Sequence, residues 1–450
     1  MSDGPNTFLR RDTVVGHAGT PRVSERWTVP FLTVLSLVLW TFVALSLARR
    51  ASIGLPLDLQ VYRDASLKML HGGATYHARY TFAHLNFTYP PIGLVLLSAF
   101  SVVPSIVALV AWWALSATAM IVLVVVLLQE LTTLPRATVV ASSFALSGAS
   151  CLFLEPIRSN FAFGQINIFL MLLVVIDIFR VRTTRKGVLT GLAAAIKLTP
   201  LMYIMYFVVA RARVSVLRAL GAFLGITALA WTLLPADSAT FWLHQAFSPG
   251  HKGGSIGPMN QSWFGFAGDF FRGTSSLRAI LWLLLSGVTF VIGVSLAKRY
   301  VATGRRVEAL LVLALTELLV SPISWTHHWS WVVLVPIAWY ARGRRRDKVS
   351  AAMLLLVAVA VVAPYKAHLT SWLHFRPITV AIGFSLLLSG AIVIVVLALE
   401  ERPWRTETHV EMDLGGAHES GPRGVDEARD DRMETPRRTP ALERPADDAG

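Results

Sequence analysis

Apolar residues in this chain come in long runs separated by short polar stretches, without the two-residue alternation of a half-buried strand. Twelve such runs fall at 31–47, 90–104, 106–128, 137–154, 166–179, 188–209, 214–234, 277–297, 307–320, 328–341, 350–364 and 378–399. A helix needs about 20 mostly apolar residues to cross a bilayer, whereas barrel strands are about 10 residues long and alternate in polarity. Backbone groups in hydrocarbon must also be satisfied within their own segment, so the runs predict helices. The expected fold is an all-α integral membrane bundle of about twelve transmembrane helices over 29–400. Residues 1–28 are expected to be a polar cytoplasmic arm. The tail 401–450, poor in large apolar residues, is expected to be cytoplasmic and disordered, because it cannot bury enough surface to offset its ordering entropy.

Composition agrees. Of 450 residues, 54% are hydrophobic and 15% charged, with a mean hydropathy of +0.57. Soluble domains carry about 25% charge, so a water-soluble globular enzyme is excluded. The net charge is +14, but 401–450 holds 8 basic and 13 acidic groups, leaving +19 on the first 400 residues. These charges sit in short clusters between apolar runs, which fits loops facing anionic lipid. No basic stripe with interleaved aromatics points to nucleic acid as a partner. A lone cysteine, Cys151, excludes an intramolecular disulfide and a cysteine-built zinc site.

Lysine and arginine in the short loops orient the bundle. Arg342, Arg344, Arg345, Arg346 and Lys348 form one cluster, Lys298, Arg299, Arg305 and Arg306 another, and Arg211, Arg213 and Arg218 a third. Two crossings separate each from the next, so all three can be cytoplasmic, which puts 49–89, 235–276, 321–327 and 365–376 outside. Arg180, Arg182, Arg185 and Lys186 break this pattern, lying one run before Arg211. Either their loop is external, or 188–209 is a re-entrant pair of half-helices bent near Lys197-Leu198-Thr199-Pro200, where proline interrupts the helix. The second alternative requires another adjustment upstream, with 90–104 as the candidate.

Candidate chemistry concentrates at the outer side. The loop 49–89, too long for a simple turn, carries Asp58, Tyr62, Arg63, Asp64, His71 and Tyr89. Asp58 is either a general base facing a half-buried cavity or a helix N-cap. Arg63 and Asp64 either contact phosphate and sugar hydroxyls or form a solvated pair. Ionisable groups within apolar runs are costly and therefore functional candidates. Lys197 either meets a lipid phosphate or snorkels to a headgroup, Asp177 is expected to pair with Arg180, and Glu317 to cap or pair. Trp325, His327 and His328 either serve a site or join Trp329 and Trp331 in an interfacial belt. Adjacent histidines point apart on a helix, so no metal ligands are assigned. Arg158, Asn160, Gln165 and Asn167 form another polar patch, and Trp242, His244, Lys252, Asn260, Gln261 and Trp263 have the composition of a sugar site.

Five stretches in order carry a resemblance: Asp58-x-x-Val61-Tyr62, Tyr89-Pro90-Pro91, Gly164-Gln165-Ile166-Asn167, Gly191 through Lys197-Leu198-Thr199-Pro200, and Ser321-Pro322-Ile323-Ser324-Trp325-Thr326-His327-His328. Together the chain resembles the polyprenol-phosphate-sugar-dependent GT-C glycosyltransferases, specifically glycosyltransferase family eighty-seven. The resemblance implies a multi-pass plasma-membrane GT-C bundle whose active site is formed by extracytoplasmic loops. It implies a polyprenyl-phosphate-mannose donor, a phosphatidylinositol mannoside acceptor, and inverting α-1,2 mannosyl transfer, with no cofactor beyond the lipid-linked sugar. Asp58 is then the expected base. Lys197, His327, His328 and Arg63 are the expected partners of the leaving phosphate, and Tyr62, Asp64, Tyr89, Gln165, Asn167 and Trp325 line the substrates. No Asp-x-Asp pair stands in the loop, which argues against a metal-chelating nucleotide-sugar transferase. The alternative from another class is a polar-lipid transporter or flippase, favoured by a broken helix at Pro200.

Overall fold

The computed structural model describes residues 25–246, 257–271, 273–341, 347–363 and 376–400. The arm 1–24, the tail 401–450, Lys252, Arg342, Arg344, Arg345, Arg346 and nearly all of 365–376 lie outside them. The described chain is helical. The elements are α1 (Glu25–Ala51), α2 (Leu57–Leu70), α3 (Pro91–Leu97), α4 (Ser105–Leu131), α5 (Arg136–Phe153), α6 (Glu155–Phe163), α7 (Asn167–Phe179), α8 (Val188–Ile196) and α9 (Ile204–Val209). They continue with α10 (Arg213–Leu233), α11 (Pro235–Thr240), α12 (Trp263–Phe270), α13 (Ser275–Ala302), α14 (Arg306–Val320), α15 (Leu334–Ala341), α16 (Lys348–Val362), α17 (Arg376–Gly383) and α18 (Ser385–Glu400). Among the described residues five helices are long and apolar enough to span a membrane alone, and two bent pairs bring the number to seven. α1, α10 and α13 expose apolar residues such as Phe31, Leu37, Leu217, Leu224, Leu284 and Val291, a surface that only lipid covers at low cost. This is an all-α integral, multi-pass membrane protein.

Ion pairs mark one end of the bundle. Glu130, at the end of α4, receives Arg306 of α14 at 2.5 Å and Arg180, just past α7, at 3.8 Å. Arg306 and Lys186 both donate to the Ile178 carbonyl, and Arg218 of α10 donates to the Thr183 carbonyl. The cluster at 180–186 therefore shares its end with Arg211, Arg213, Arg218, Arg305 and Arg306. Asp177 does not pair with Arg180. Its carboxylate accepts from the Gly187 and Thr190 amides and the Thr190 hydroxyl, at 2.7–2.8 Å, and so caps the start of α8.

The run 188–209 is re-entrant. A Cβ on Gly187 would strike Ser215 and Ala219, and one on Gly191 would strike Ala219 and Ala222, so α8 rises beside α10 in the same direction. At Lys197 the backbone becomes extended (φ −149°, ψ 135°), a 3-10 turn follows over Thr199–Tyr203, and α9 returns. The Tyr206 hydroxyl then meets Arg306 at 3.3 Å, back at the basic end. Pro200 explains the break, since it lacks the N–H that would bond to Ile196 and its ring crowds that turn.

The upstream adjustment falls on 90–104. α3 has seven residues, about 10 Å of helix, and a 3-10 turn over Ser98–Phe100 follows it. Ser66 on α2 bonds the Leu94 carbonyl at 3.0 Å and Arg63 bonds the Val103 carbonyl at 3.1 Å, holding this segment at the end opposite the basic clusters. Neither of these two runs forms one continuous crossing helix. A further bend of 118° separates α6 from α7. It is made at Gly164, in the left-handed region at φ +71°, with the Gln165 amide closing onto the Asn160 carbonyl at 2.9 Å.

Candidate active site

The non-basic end gathers four breaks: the first turn of α2, the α6–α7 bend, the extended residue after α8, and the start of the 3-10 turn over Thr326–Val333. Each begins or ends a helix where a polar side chain stands, and several of these side chains bond to one another.

Asp58 lies in the first turn of α2, but Pro56 precedes it as the cap residue and no side-chain cap bond forms. The N-cap alternative therefore does not hold. Instead the half-buried Asp58 carboxylate accepts from Gln165 Nε2 at 2.7 Å. The same amide's Oε1 accepts from the Tyr89 hydroxyl at 3.1 Å, and the Tyr62 and Tyr89 hydroxyls are 2.8 Å apart. Gln165, Tyr62 and Tyr89 are buried. Desolvation pushes the Asp58 pKa up to about 6, against the opposing pull of the Gln165 hydrogen bond and the Lys197 charge. Both tyrosines are raised above the usual phenol value, chiefly by burial, and remain hydrogen-bond donors.

Below this layer stands Lys197. Its ammonium is 2.7 Å from Asn167 Oδ1, 3.1 Å from His328 Nε2 and 5.2 Å from the centre of the Tyr89 ring. An ammonium only donates, so Nε2 of His328 is the acceptor and its proton resides on Nδ1, which faces the Ile323 carbonyl at 3.3 Å. Trp325 stacks on His328 with centroids 5.9 Å apart. His327 turns away, its ring against Phe163, while its carbonyl accepts from Asn160 at 2.8 Å and Asn167 at 3.2 Å. Trp329 and Trp331 are buried, not an interfacial belt, because the 3-10 turn carries them into the core.

Asp58, Tyr62, Tyr89, Gln165, Asn167, Lys197, Trp325 and His328 thus converge, while the predicted His327 contributes its backbone carbonyl and not its ring. Arg63 and Asp64 do not join them. The Arg63 guanidinium is buried against the Phe100 and Val103 carbonyls and Ser105 Oγ, where it ties α2 to the segment after α3, so phosphate is not its partner here. Asp64, on the same helix, has its pKa raised by partial burial, against the charge of Arg63 and a bond from Gln60. The amides proposed for sugar are also spent on the fold. Asn260 bonds the Pro322 carbonyl and the Ser324 amide, and Gln261 bonds the Gly383 carbonyl.

Two contributors had no role assigned from sequence. Asn160, one member of the polar patch, reaches the Pro156 and His327 carbonyls and Ser330, and accepts from Asn167 at 3.1 Å. Its spacing of seven from Asn167 was the available signal. Glu317 makes no cap bond and no close ion pair among the described residues. It lines a cavity of about 20 Å³ together with Asn167, Thr199, Tyr203, His328 and Trp331.

Fold and site together define a polytopic membrane protein whose partly accessible carboxylate faces a buried lysine through a glutamine and two tyrosines. The family profile described as "Glycosyltransferase family 87" matches residues 87–322, a stretch that includes Tyr89, Gln165, Asn167 and Lys197 and begins after α2. The chain belongs to glycosyltransferase family 87. It is 32% identical over 321 residues to a polyprenol-phosphate-mannose-dependent alpha-(1-2)-phosphatidylinositol mannoside mannosyltransferase of Mycobacterium tuberculosis, covering 68% of this chain and 75% of the relative. A protein of the same description from Mycolicibacterium smegmatis is 34% identical over 75% of this chain and 81% of its own. A Mycobacterium tuberculosis protein described as acting on phosphatidylinositol pentamannoside is 30% identical over 79% of this chain and 84% of its own. No solved structure matches the chain.

Proposed function

We propose that this protein is an inverting α-1,2-mannosyltransferase of the plasma membrane, moving mannose from polyprenyl-phosphate-mannose to a phosphatidylinositol mannoside on the extracytoplasmic face. The observation that carries the reading is the juxtaposition of Asp58 and Lys197, linked through Gln165 and Tyr89. The names of the relatives support the donor and acceptor. The basic clusters at the opposite end support the sidedness, since lysine and arginine favour cytoplasmic loops.

In the proposed step the acceptor's 2-hydroxyl oxygen attacks mannose C1 as the bond from C1 to the phosphate oxygen breaks. The hydroxyl proton passes to Asp58, whose pKa near 6 keeps it ionised at neutral pH yet basic enough to receive it. Polyprenyl phosphate departs, and Lys197 meets the charge that grows on it. Attack opposite a β-linked leaving group gives the α-linkage, so one carboxylate suffices. The relatives' names support transfer over the transporter alternative. Incubating the purified protein with labelled polyprenyl-phosphate-mannose and mannosylated inositol lipids tests the reading. An α-1,2-linked product is expected; vectorial movement of lipid without a glycosidic product would overturn it.

A further inference from the structure

A second carboxyl, Glu317, stands beneath the cluster on α14 and takes no part in the step just described. Its side chain is buried, Tyr203 lines the same cavity, and Lys197 is buried as well. Glu317 lines the small cavity with Asn167 and His328, both of which touch the Lys197 ammonium. The cavity is large enough for about one water. The Tyr203 hydroxyl is fully buried in the cavity wall, beside Trp331. Lys197 lies within electrostatic reach of both Asp58 and Glu317.

A buried ammonium needs a counter-charge, because desolvation otherwise drives it to release its proton. Asp58 is an unreliable one, since the proposed reaction protonates it at each turnover. We propose that Glu317 is a positioning residue that keeps Lys197 charged when Asp58 has taken the acceptor's proton, so that the donor's phosphate always meets a cation. The ionisable groups facing Glu317 are Lys197, Tyr203 and His328. Where α13 meets Thr316, the neighbour of Glu317, it presents Gly293, which does not titrate. Lys298, Arg299 and Glu400 lie at the basic end, and Asp269 and Arg278 at the other.

The role in transfer rests on the lipid-phosphate donor argued above, but the charge coupling is measured without it. In full-length protein in lipid nanodiscs, competitive methylation of Lys197 with formaldehyde and borohydride, read by mass spectrometry across pH, gives the pH at which its amine becomes reactive. Glu317→Gln is expected to lower that midpoint by about one pH unit, a roughly tenfold change in the protonation equilibrium. Glu317→Met, which also removes the charge, gives the same reading should Gln fail to fold, and Glu317→Asp keeps the midpoint near that of the unaltered protein. The alkaline limb of mannosyl transfer should move down with it while the acid limb stays. An unmoved Lys197 midpoint, or a loss of rate uniform in pH, overturns the inference. A moved midpoint in a protein that makes no mannosylated product leaves the coupling standing and removes the donor reading instead.

Discussion

Gln165 donates its amide N–H to Asp58 across 2.7 Å, joining side chains 107 residues apart in the chain. The bond forms because Gly164 bends the chain between α6 and α7 and so points the next residue at the first turn of α2. A carboxylate that loses a hydrogen bond holds its proton more tightly. Replacing Gln165 with Leu is therefore expected to raise the Asp58 pKa by about one unit, since a bond to a charged group is worth about 1.5–3 kcal/mol and partial rehydration offsets part of it. The measurement is the acid limb of kcat/KM, which should shift to higher pH; a limb that stays in place would detach Gln165 from the base.

Asp58→Asn preserves shape and still accepts from Gln165, but it cannot take a proton. Transfer should fall by about 10²–10⁴ in kcat with KM for the donor nearly unchanged, because proton removal is felt in the transition state. In unaltered protein the base works ionised. With a pKa of about 6, activity should be on its plateau at pH 7.5 and drop tenfold per unit below pH 6. An acid limb near 4, the ordinary carboxylate range, would show that the titrating group is another.

Lys197→Met removes the cation but keeps much of the aliphatic stem. Loss of one preorganised charge at a departing phosphate is expected to cost about 10²–10³ in kcat. The loss should be smaller for a synthetic donor with a better leaving group, which needs less help. Equal losses for both donors would assign Lys197 to binding or to the fold.

Much of the architecture was legible because long apolar runs have few physical solutions, and the polar stretches around Asp58, Gln165 and Lys197 stood out against them. Whether a run crosses or turns back was not. The runs 90–104 and 188–209 are as apolar as their neighbours; Pro200 marks where the second breaks, but the contacts that hold each run as it lies, Arg63 on distant carbonyls and Gly187 against α10, are tertiary. The clustered arginines before and after 188–209 held the clue, yet left two topologies open. Arg63 itself illustrates the limit. Its neighbour Asp64 suggested a surface pair, while the true acceptor is a carbonyl 40 residues on, which no local pattern encodes. Lys197 was readable as an ionisable group in an apolar run; its placement between two carboxyls was not, because Glu317 lies 120 residues away on another helix.

Gly164 is where fold and chemistry meet most directly. Its φ of +71° disfavours any residue with a side chain, and a Cβ there would sit 2.7 Å from the Leu59 Cβ and 3.1 Å from the Pro56 Cβ. Neither neighbour is a flexible tip, so the first turn of α2 must move. Gly164→Ala is expected to cost about 1–2 kcal/mol for the left-handed backbone and about 1–3 kcal/mol for overpacking, read as a lower melting temperature in detergent. Because the displaced turn carries Asp58, kcat should also fall by about 10², the penalty of moving a reacting group by roughly 1 Å. Gly221→Ala is the control. That glycine lies within α10 with open space around its Cβ position, so alanine should leave transfer unchanged and raise helix stability by about 0.5–1 kcal/mol. If Gly164→Ala lowered the melting temperature yet transferred mannose at full rate, the Gly164 bend would hold the fold together without aiming the base.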